Sequence, residues 1–399
     1  MAGTSGFSVS GYGPQRSTWA RLAARDSVVR RLDWPLLVSS LALSVLGSLL
    51  VWSATRNRTH LNQGDPYYFL LRHLLNTSIG VALMIGTIWL GHRTLRGAVP
   101  VLYGISVLMV LLVLTPLGAT INGAHSWIVV GGGFTLQPSE FVKITIIIGM
   151  AMMLASRVDA GDQVHPDHRT VAKSLVLAVI PMGIVMLMPD LGSVMVMAVI
   201  VLGVLLASGA SNRWIIGLVG AGVAGAIAVA ALGVLDEYQI NRFAAFANPD
   251  LDPAGVGYNT NQARIAIGSG GLTGTGLFHG SQTTGQFVPE QQTDFVFTVA
   301  GEELGFLGAG LILVLLGVIL WRACRIARET TELYGTIVAA GIIAWFAFQS
   351  FENIGMTLGI MPVAGLPLPF VSYGGTSMFA VWMAVGLLQS IRVQRPLTA

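Results

Sequence analysis

Long apolar runs alternate with short polar breaks from residue 34 to residue 391. The runs lie near 34–54, 71–90, 97–116, 139–156, 172–188, 191–208, 214–234, 304–321, 335–355 and 375–391. Each is close to the ~20 residues a helix needs to cross the hydrocarbon core of a bilayer. The pattern predicts an all-α polytopic membrane protein with about ten transmembrane helices. Only a tight turn around Pro189-Asp190 separates the fifth run from the sixth. Residues 1–33 are polar, rich in Gly, Ser and Arg, and too long for the n-region of a cleaved signal peptide. They are expected to be a disordered cytoplasmic tail, with the first apolar run acting as an uncleaved signal anchor. Residues 392–399 read as a second cytoplasmic tail, leaving 34–391 as one membrane domain.

Charge orients the runs. Sixteen Lys and Arg residues fall on the tails and on the loops that share a side with the N-terminus. Five, namely Arg56, Arg58, Arg72, Arg242 and Arg264, fall on the other side, and Lys143 lies within a span. The excess of cations on cytoplasmic loops places both termini inside. The three long connections, 117–138, 235–303 and 356–374, then face outward. They carry aromatics, prolines and glycines in place of charge runs. Long connections in compact domains are usually functional or disordered, and this composition predicts ordered loops with the chemistry on the extracytoplasmic face.

Composition agrees and excludes several classes. The chain is 53% hydrophobic and 10% charged, with a mean hydropathy of +0.71, where soluble domains carry about 25% charged residues. A single cysteine, Cys324, rules out an internal disulfide framework and a cysteine-based metal cluster. No H-E-x-x-H or C-x-x-C occurs, which disfavours a zinc hydrolase. The glycine-rich stretch 268–280 lacks both a Walker lysine and the G-x-G-x-x-G spacing, which disfavours nucleotide binding there. No nucleic-acid partner is expected.

Ionisable residues concentrate on the outer side. Gln137-Pro138-Ser139-Glu140 opens the fourth run, and Lys143 follows three residues on, on the same helical face. A helix start with a local ion pair explains the residue types, but an acid and a lysine at the top of a lipid-embedded helix are costly unless they face a polar cavity. Asp190 suits an N-cap, a role compatible with lining a site. The 235–303 connection holds Asp236, Glu237, Asp250 and Asp252, with Arg242 in Asn-Arg-Phe. Residues 259–267, including Arg264, read as a short amphipathic helix at the interface. The glycines at 268, 270, 271, 274, 276 and 280 either offer amides to a phosphate or form a flexible flap. In PEQQTDFVF, 289–297, Asp294 precedes an apolar run that spans without it. Phe295 to Gly301 is expected to be interfacial, with Glu302 and Glu303 near the headgroups. A divalent cation, Mg2+ or Mn2+, held by one or two carboxylates and by substrate phosphates is a candidate near Asp294.

QPSEFVK (137–143), PDLGS (189–193), GSGGLTGTGLFHGSQT (268–283), PEQQTDFVF (289–297) and NIGMTLGIMPVAGLPLPFVSYGGTS (353–377) closely resemble the SEDS family (shape, elongation, division, sporulation). The resemblance runs from about residue 34 to 391. PEQ before TDF and the 355–370 stretch look more like its RodA elongation members than its FtsW division members. The dipeptide after Gln291 is Gln-Thr where His-Thr is common, which leaves the acid in place. The resemblance implies ten spans and a peptidoglycan glycosyltransferase that polymerises lipid II at the outer face of the cytoplasmic membrane. It implies a class B penicillin-binding protein and the elongation complex as partners. It assigns the family's essential acid to Asp294 and matches its other motif residues to Glu140, Lys143, Asp190 and Trp127.

The donor expected from that resemblance carries an α-linked diphosphate and the product linkage is β, so one direct displacement is expected. Asp294 would activate the acceptor hydroxyl. Lys143, Arg242 or a divalent ion would offset charge on the departing undecaprenyl diphosphate, with Glu140 orienting Lys143 and Arg264 as a further phosphate candidate. The rival readings are a division or sporulation polymerase, a lipid II flippase and a non-catalytic scaffold. The absence of a clear internal repeat, and acids gathered at one face instead of the midplane, favour catalysis over transport.

Overall fold

The computed structural model describes residues 28–394 apart from 60, 122–123, 132–133, 189, 232–245 and 247–254. The predicted tail up to residue 27, and Asp236, Glu237, Arg242, Asp250 and Asp252, lie outside the described residues.

Ten helices answer to the ten apolar runs. In chain order they are α1 (Trp34–Thr55), α2 (Tyr68–Leu90), α3 (His92–Val113), α4 (Pro138–Asp159), α5 (His168–Met186), α6 (Leu191–Ala207) and α7 (Asn212–Ala231). Two further helices, α8 (Val256–Ser269) and α9 (Val296–Glu303), precede the last three, α10 (Gly305–Glu329), α11 (Leu333–Leu358) and α12 (Gly375–Val393). Among the described residues eight are long and apolar enough to cross a membrane; of the ten, α6, at 17 residues, and α7 are the exceptions. Local chemistry sets the helix starts. Asp33, Asp167 and Asp190 accept from the amides of Leu36, Thr170 and Ser193, each satisfying an orphan donor of a first turn. Pro138 opens α4, where its missing N–H costs nothing. Helix α10 runs on to Glu329, past the apolar limit at 321, because Arg and Glu are good helix formers and Arg325 pairs with Glu329 one turn on.

The inner helices are α4, α11 and α12. Helix α2 lies along α12, while α11 packs on α6, α4 and α10. Close approach needs a missing side chain at Gly47 of α1, where a Cβ would stand 2.4 Å from the carbonyl oxygen of Val371.

Three features depart from the sequence reading. The connection after α3 folds into a small antiparallel sheet, so the all-α expectation needs that exception. It consists of β1 (Gly118–Ile121), β2 (Ala124–Gly131) and β3 (Phe134–Leu136), in the order β1-β2-β3. The segment 295–301 is not an interfacial strip but mostly the buried helix α9. Glu302 and Glu303 are 0% and 1% exposed, enclosed by protein and not turned out toward headgroups. Helix α8 does not lie free at an interface either. Its Ala263 and Ala266 join Val288, Phe295, Met356 and Val363 in a second small core.

Of the described Lys and Arg residues, twelve sit at the end where α1 begins, four lie on or beside the connections at the end where α4 begins, and Lys143 lies within α4. Ion pairs close the basic end. Arg322 of α10 forks onto Asp33 at 2.9 and 2.7 Å, and Arg392 of α12 approaches the same carboxylate at 3.4 Å. Gln389 exchanges two hydrogen bonds with the Asp33 backbone. Breaking a buried pair leaves an uncompensated charge, so Asp33→Ala is expected to lower stability by about 3–5 kcal/mol. A thermal melt of the detergent-purified variant checks this, and an unchanged midpoint would contradict it.

Candidate functional site

The loop carrying Asp294 is a tight turn built on one carbonyl. The Glu290 oxygen accepts from the amides of Thr293, Asp294 and Phe295 at 3.2, 3.1 and 3.2 Å. Glu290 itself adopts a left-handed φ of 48°, a conformation that non-glycine residues keep only where neighbours enforce it. Asp294 is half-buried at the end of this turn, just before α9. Two contacts fix the turn to the bundle. Asn353 of α11 donates its Nδ2 to the carbonyls of Asp294 and Leu366 at 2.8 and 2.7 Å. The Tyr373 amide donates to the Gln292 carbonyl at 2.8 Å.

The start of α4 meets the same part of α11. Lys143, with no exposure at all, donates its Nζ to Glu140 Oε1 at 2.7 Å and to Gln349 Oε1 at 3.1 Å. Its ammonium also sits 5.1 Å from the centre of the Trp345 ring. Trp345, Gln349 and Asn353 are spaced by four and share one stripe of α11. Gln349 reaches onward to the Pro367 carbonyl at 2.7 Å. Asp190 caps α6 through Ser193 at 3.0 Å and accepts from Gln137 at 3.2 Å, so it caps a helix and joins the α4 motif at once.

The glycine-rich stretch spends its amides on the chain. Those of Thr275 and Gly276 donate to the carbonyls of Glu302 and Glu303, both at 3.0 Å. The Glu302 carboxylate accepts from the amides of Gln282 and Thr283 at 2.7 and 2.9 Å and from the Thr283 hydroxyl at 2.7 Å. Glu303 accepts from Ser53 of α1 at 2.6 Å, and burial pushes its carboxyl up from the ordinary range against that hydrogen bond.

Glu140, Lys143 and Asp190 thus lie in one hydrogen-bonded region, which Gln349 and Asn353 link to the Asp294 turn. Trp127 stands half-buried on β2, opposite Ala119. The Arg264 guanidinium faces the end of α11, donating to the carbonyls of Leu358 and Gly359 at 3.1 and 2.9 Å. Arg242 lies outside the described residues. The sequence reading passed over Gln349, Asn353 and Arg58. Polar residues recurring every four positions in an apolar span were the signal for the first two. Arg58 had none beyond its charge. Among the described residues, no group of three or more His, Cys, Asp and Glu side chains is placed to hold a metal ion.

The arrangement defines a polytopic helical membrane protein with a polar site at the end opposite its arginine-rich face. The family model described as "Cell cycle protein", covering FtsW, RodA and SpoVE, matches residues 34–396, and the chain belongs to that family. Stage V sporulation protein E of Bacillus subtilis is 37% identical over 90% of this chain and 96% of its own length. The peptidoglycan glycosyltransferase MrdB of Escherichia coli is 34% identical over 91% of this chain and 94% of its own. The probable peptidoglycan glycosyltransferase FtsW of Trichlorobacter lovleyi is likewise 34% identical, over 90% and 92%. Among solved structures, a chain of a peptidoglycan synthase complex that coordinates polymerization and crosslinking superimposes with a TM-score of 0.73 at 30% identity, covering 90% of this chain and 97% of that one. The rod shape determining protein RodA of Thermus thermophilus gives 0.66 at 29%, covering 91% and 97%.

Glu140→Gln leaves the Lys143 ammonium buried without its anion and is expected to cost about 3–5 kcal/mol. Adding Lys143→Met should restore much of that loss, because an apolar pair of similar volume needs no charge compensation. Thermal melts of the two single variants and the double variant form the cycle, and strictly additive losses would contradict it.

Proposed function

We propose that this chain polymerises lipid II into β-1,4 glycan strands at the outer face of the cytoplasmic membrane, as a peptidoglycan glycosyltransferase. Membership of a family whose relatives bear that name along nearly the whole chain supports the class. The observation that carries the mechanism is Asp294, a half-buried acid on a turn that the bundle fixes through its backbone. The excess of cations at the opposite end supports an extracytoplasmic position for that turn. Sporulation, FtsW and MrdB proteins match at 34–37% identity, which does not separate the branches. The elongation role rests on the PEQ and 355–370 motifs, and with it come a class B penicillin-binding protein and the elongation complex as partners.

In this reading the Asp294 carboxylate takes the proton from the acceptor sugar hydroxyl. The freed oxygen forms its bond to the anomeric carbon from the face opposite the diphosphate. The C1–O bond to the diphosphate breaks, and undecaprenyl diphosphate leaves with the electron pair. Cations must meet that charge. Lys143 is wholly enclosed in this conformation, where it organises α4 against α11. Arg264 is engaged by the end of α11, and of the cations named from the sequence Arg242 remains. A divalent ion, Mg2+ or Mn2+, fits the described residues only as one held by Asp294 and substrate phosphates together, not by a preformed protein cage. Such an ion would supply charge neutralisation at the diphosphate.

Asp294→Asn is expected to lower lipid II polymerisation by about 10²–10⁴-fold while the protein stays folded. Gel analysis of glycan chains made by the purified, correctly melting variant checks it. Near-normal chains would overturn the assignment. Because lipid II is supplied in accessible form, the assay also separates an enzyme from a flippase or a scaffold.

A further inference from the structure

The short connection after α1 grips the Asp294 loop at three points. Arg56 donates to the Phe278 carbonyl at 3.2 Å and lies over the Phe278 ring at 4.5 Å. The Asn57 carbonyl accepts from Gln286 at 3.1 Å. Arg58 donates to the Val288 carbonyl at 2.9 Å and to the side chains of Gln291 and Gln292 at 3.1 and 3.4 Å. Three consecutive residues therefore hold the start, middle and end of the segment 278–292.

Arg58 is the costly member. Its side chain is 5% exposed, and its hydrogen-bond acceptors among the described residues are neutral oxygens. Burial lowers its pKa, while the charge of Glu290 works the other way. A buried cation hydrogen-bonded only to neutral oxygens is a poor choice for mere packing. What a guanidinium offers is a flat fork of diverging donors that can reach several acceptors on one loop at once. The loop needs that. Gln286 and Glu290 both hold left-handed φ values, 57° and 48°, and between the four-residue helix Ser281–Thr284 and α9 no regular element supports them. Tyr373 and Asn353 restrain Gln292 and Asp294 from the α11–α12 side. Arg58 restrains the same turn from the α1 side.

We infer that Arg58 is a positioning residue for Asp294, acting through the Val288–Gln292 turn, with Arg56 and Asn57 completing the clamp. The inference rests on Asp294 being the base. Misplacing a reacting group by about 1 Å can cost about 100-fold in rate. The full-length protein and its Asp294→Asn, Arg58→Gln and Arg58→Lys variants are to be assayed with lipid II and followed by hydrogen exchange. Arg58→Gln should lower kcat by about 10–100-fold with KM little changed. Exchange should quicken within 286–298 and stay as before in α4 and α11. Arg58→Lys, which keeps the charge but loses the fork, should fall between. Wild-type turnover by Arg58→Gln overturns the inference, as does exchange quickened throughout the protein with kcat and KM both impaired. If Arg58→Gln does not fold, Arg58→Lys decides alone, and wild-type turnover with unaltered loop exchange overturns the inference. An active Asp294→Asn defeats the underlying assignment. An inactive Asp294→Asn beside a fully active Arg58→Gln defeats only the clamp.

Discussion

A lysine ammonium with no exposure persists in a lipid-embedded fold only if its charge is met at close range. Lys143 meets it in Glu140, 2.7 Å away on the same helix, and shares its remaining donors with Gln349 and the Trp345 ring. Glu140 is doubly placed, because an acid in the first turn also faces the positive end of the α4 dipole. The pair therefore belongs to α4, while Gln349 and Trp345 belong to α11, and compensating the charge ties the two inner helices together. Four residues along α11 from Gln349, Asn353 holds the backbone of Asp294. The position of the loop acid thus depends, through one helix face, on a buried ion pair that does not touch it.

Glu302 and Glu303 follow the same rule by another route. Neither has an ion-pair partner among the described residues, and both are buried. Glu302 instead collects two amides and a hydroxyl from Gln282 and Thr283. Such hydrogen bonds are what make a buried carboxylate tolerable. The acids act as internal fasteners that pull the glycine-rich segment onto α9. Gly270 is needed for that contact, because a Cβ there would stand 2.0 Å from the Gly301 carbonyl oxygen. Of the glycines that suggested a phosphate cradle, Gly270, Gly274 and Gly280 are required for chain-on-chain packing.

The spans were legible because a bilayer demands about 20 apolar residues per crossing and few other patterns imitate that. Helix ends were less so, as α10 shows, because hydropathy marks where lipid stops, not where hydrogen bonding stops. The sheet at 118–136 was missed although Asn122-Gly123 before the Ser126–Val130 run is a hairpin signal. Strands of three to eight residues leave little mark beside spans of about 20 apolar residues. In the candidate site, Glu140, Lys143 and Asp190 stand out in the sequence because charges in or beside apolar runs are conspicuous. Gln349 and Asn353 are neutral, and Arg58 sits among other loop arginines. Their parts are set by partners up to 234 positions away in sequence, and no local pattern encodes such a pairing.

The restraints on the loop acid bear on the proposed transfer chemistry. The Glu290 carbonyl, the Asn353 amide and the Tyr373 amide all act on main-chain atoms of the turn. None of these three uses the Asp294 carboxylate as an anchor. An anchor made through that carboxylate would weaken with every proton it accepted, whereas these three would not. These main-chain restraints persist while the side chain changes protonation, which a base must do in every cycle of the proposed reaction. The opposite end of the bundle shows the contrasting design. There Asp33 is the anchor itself, capping α1 while Arg322 and Arg392 hold its carboxylate. That acid is committed to structure. At the Asp294 turn the same change of protonation leaves three restraints intact, because they fall on the main chain.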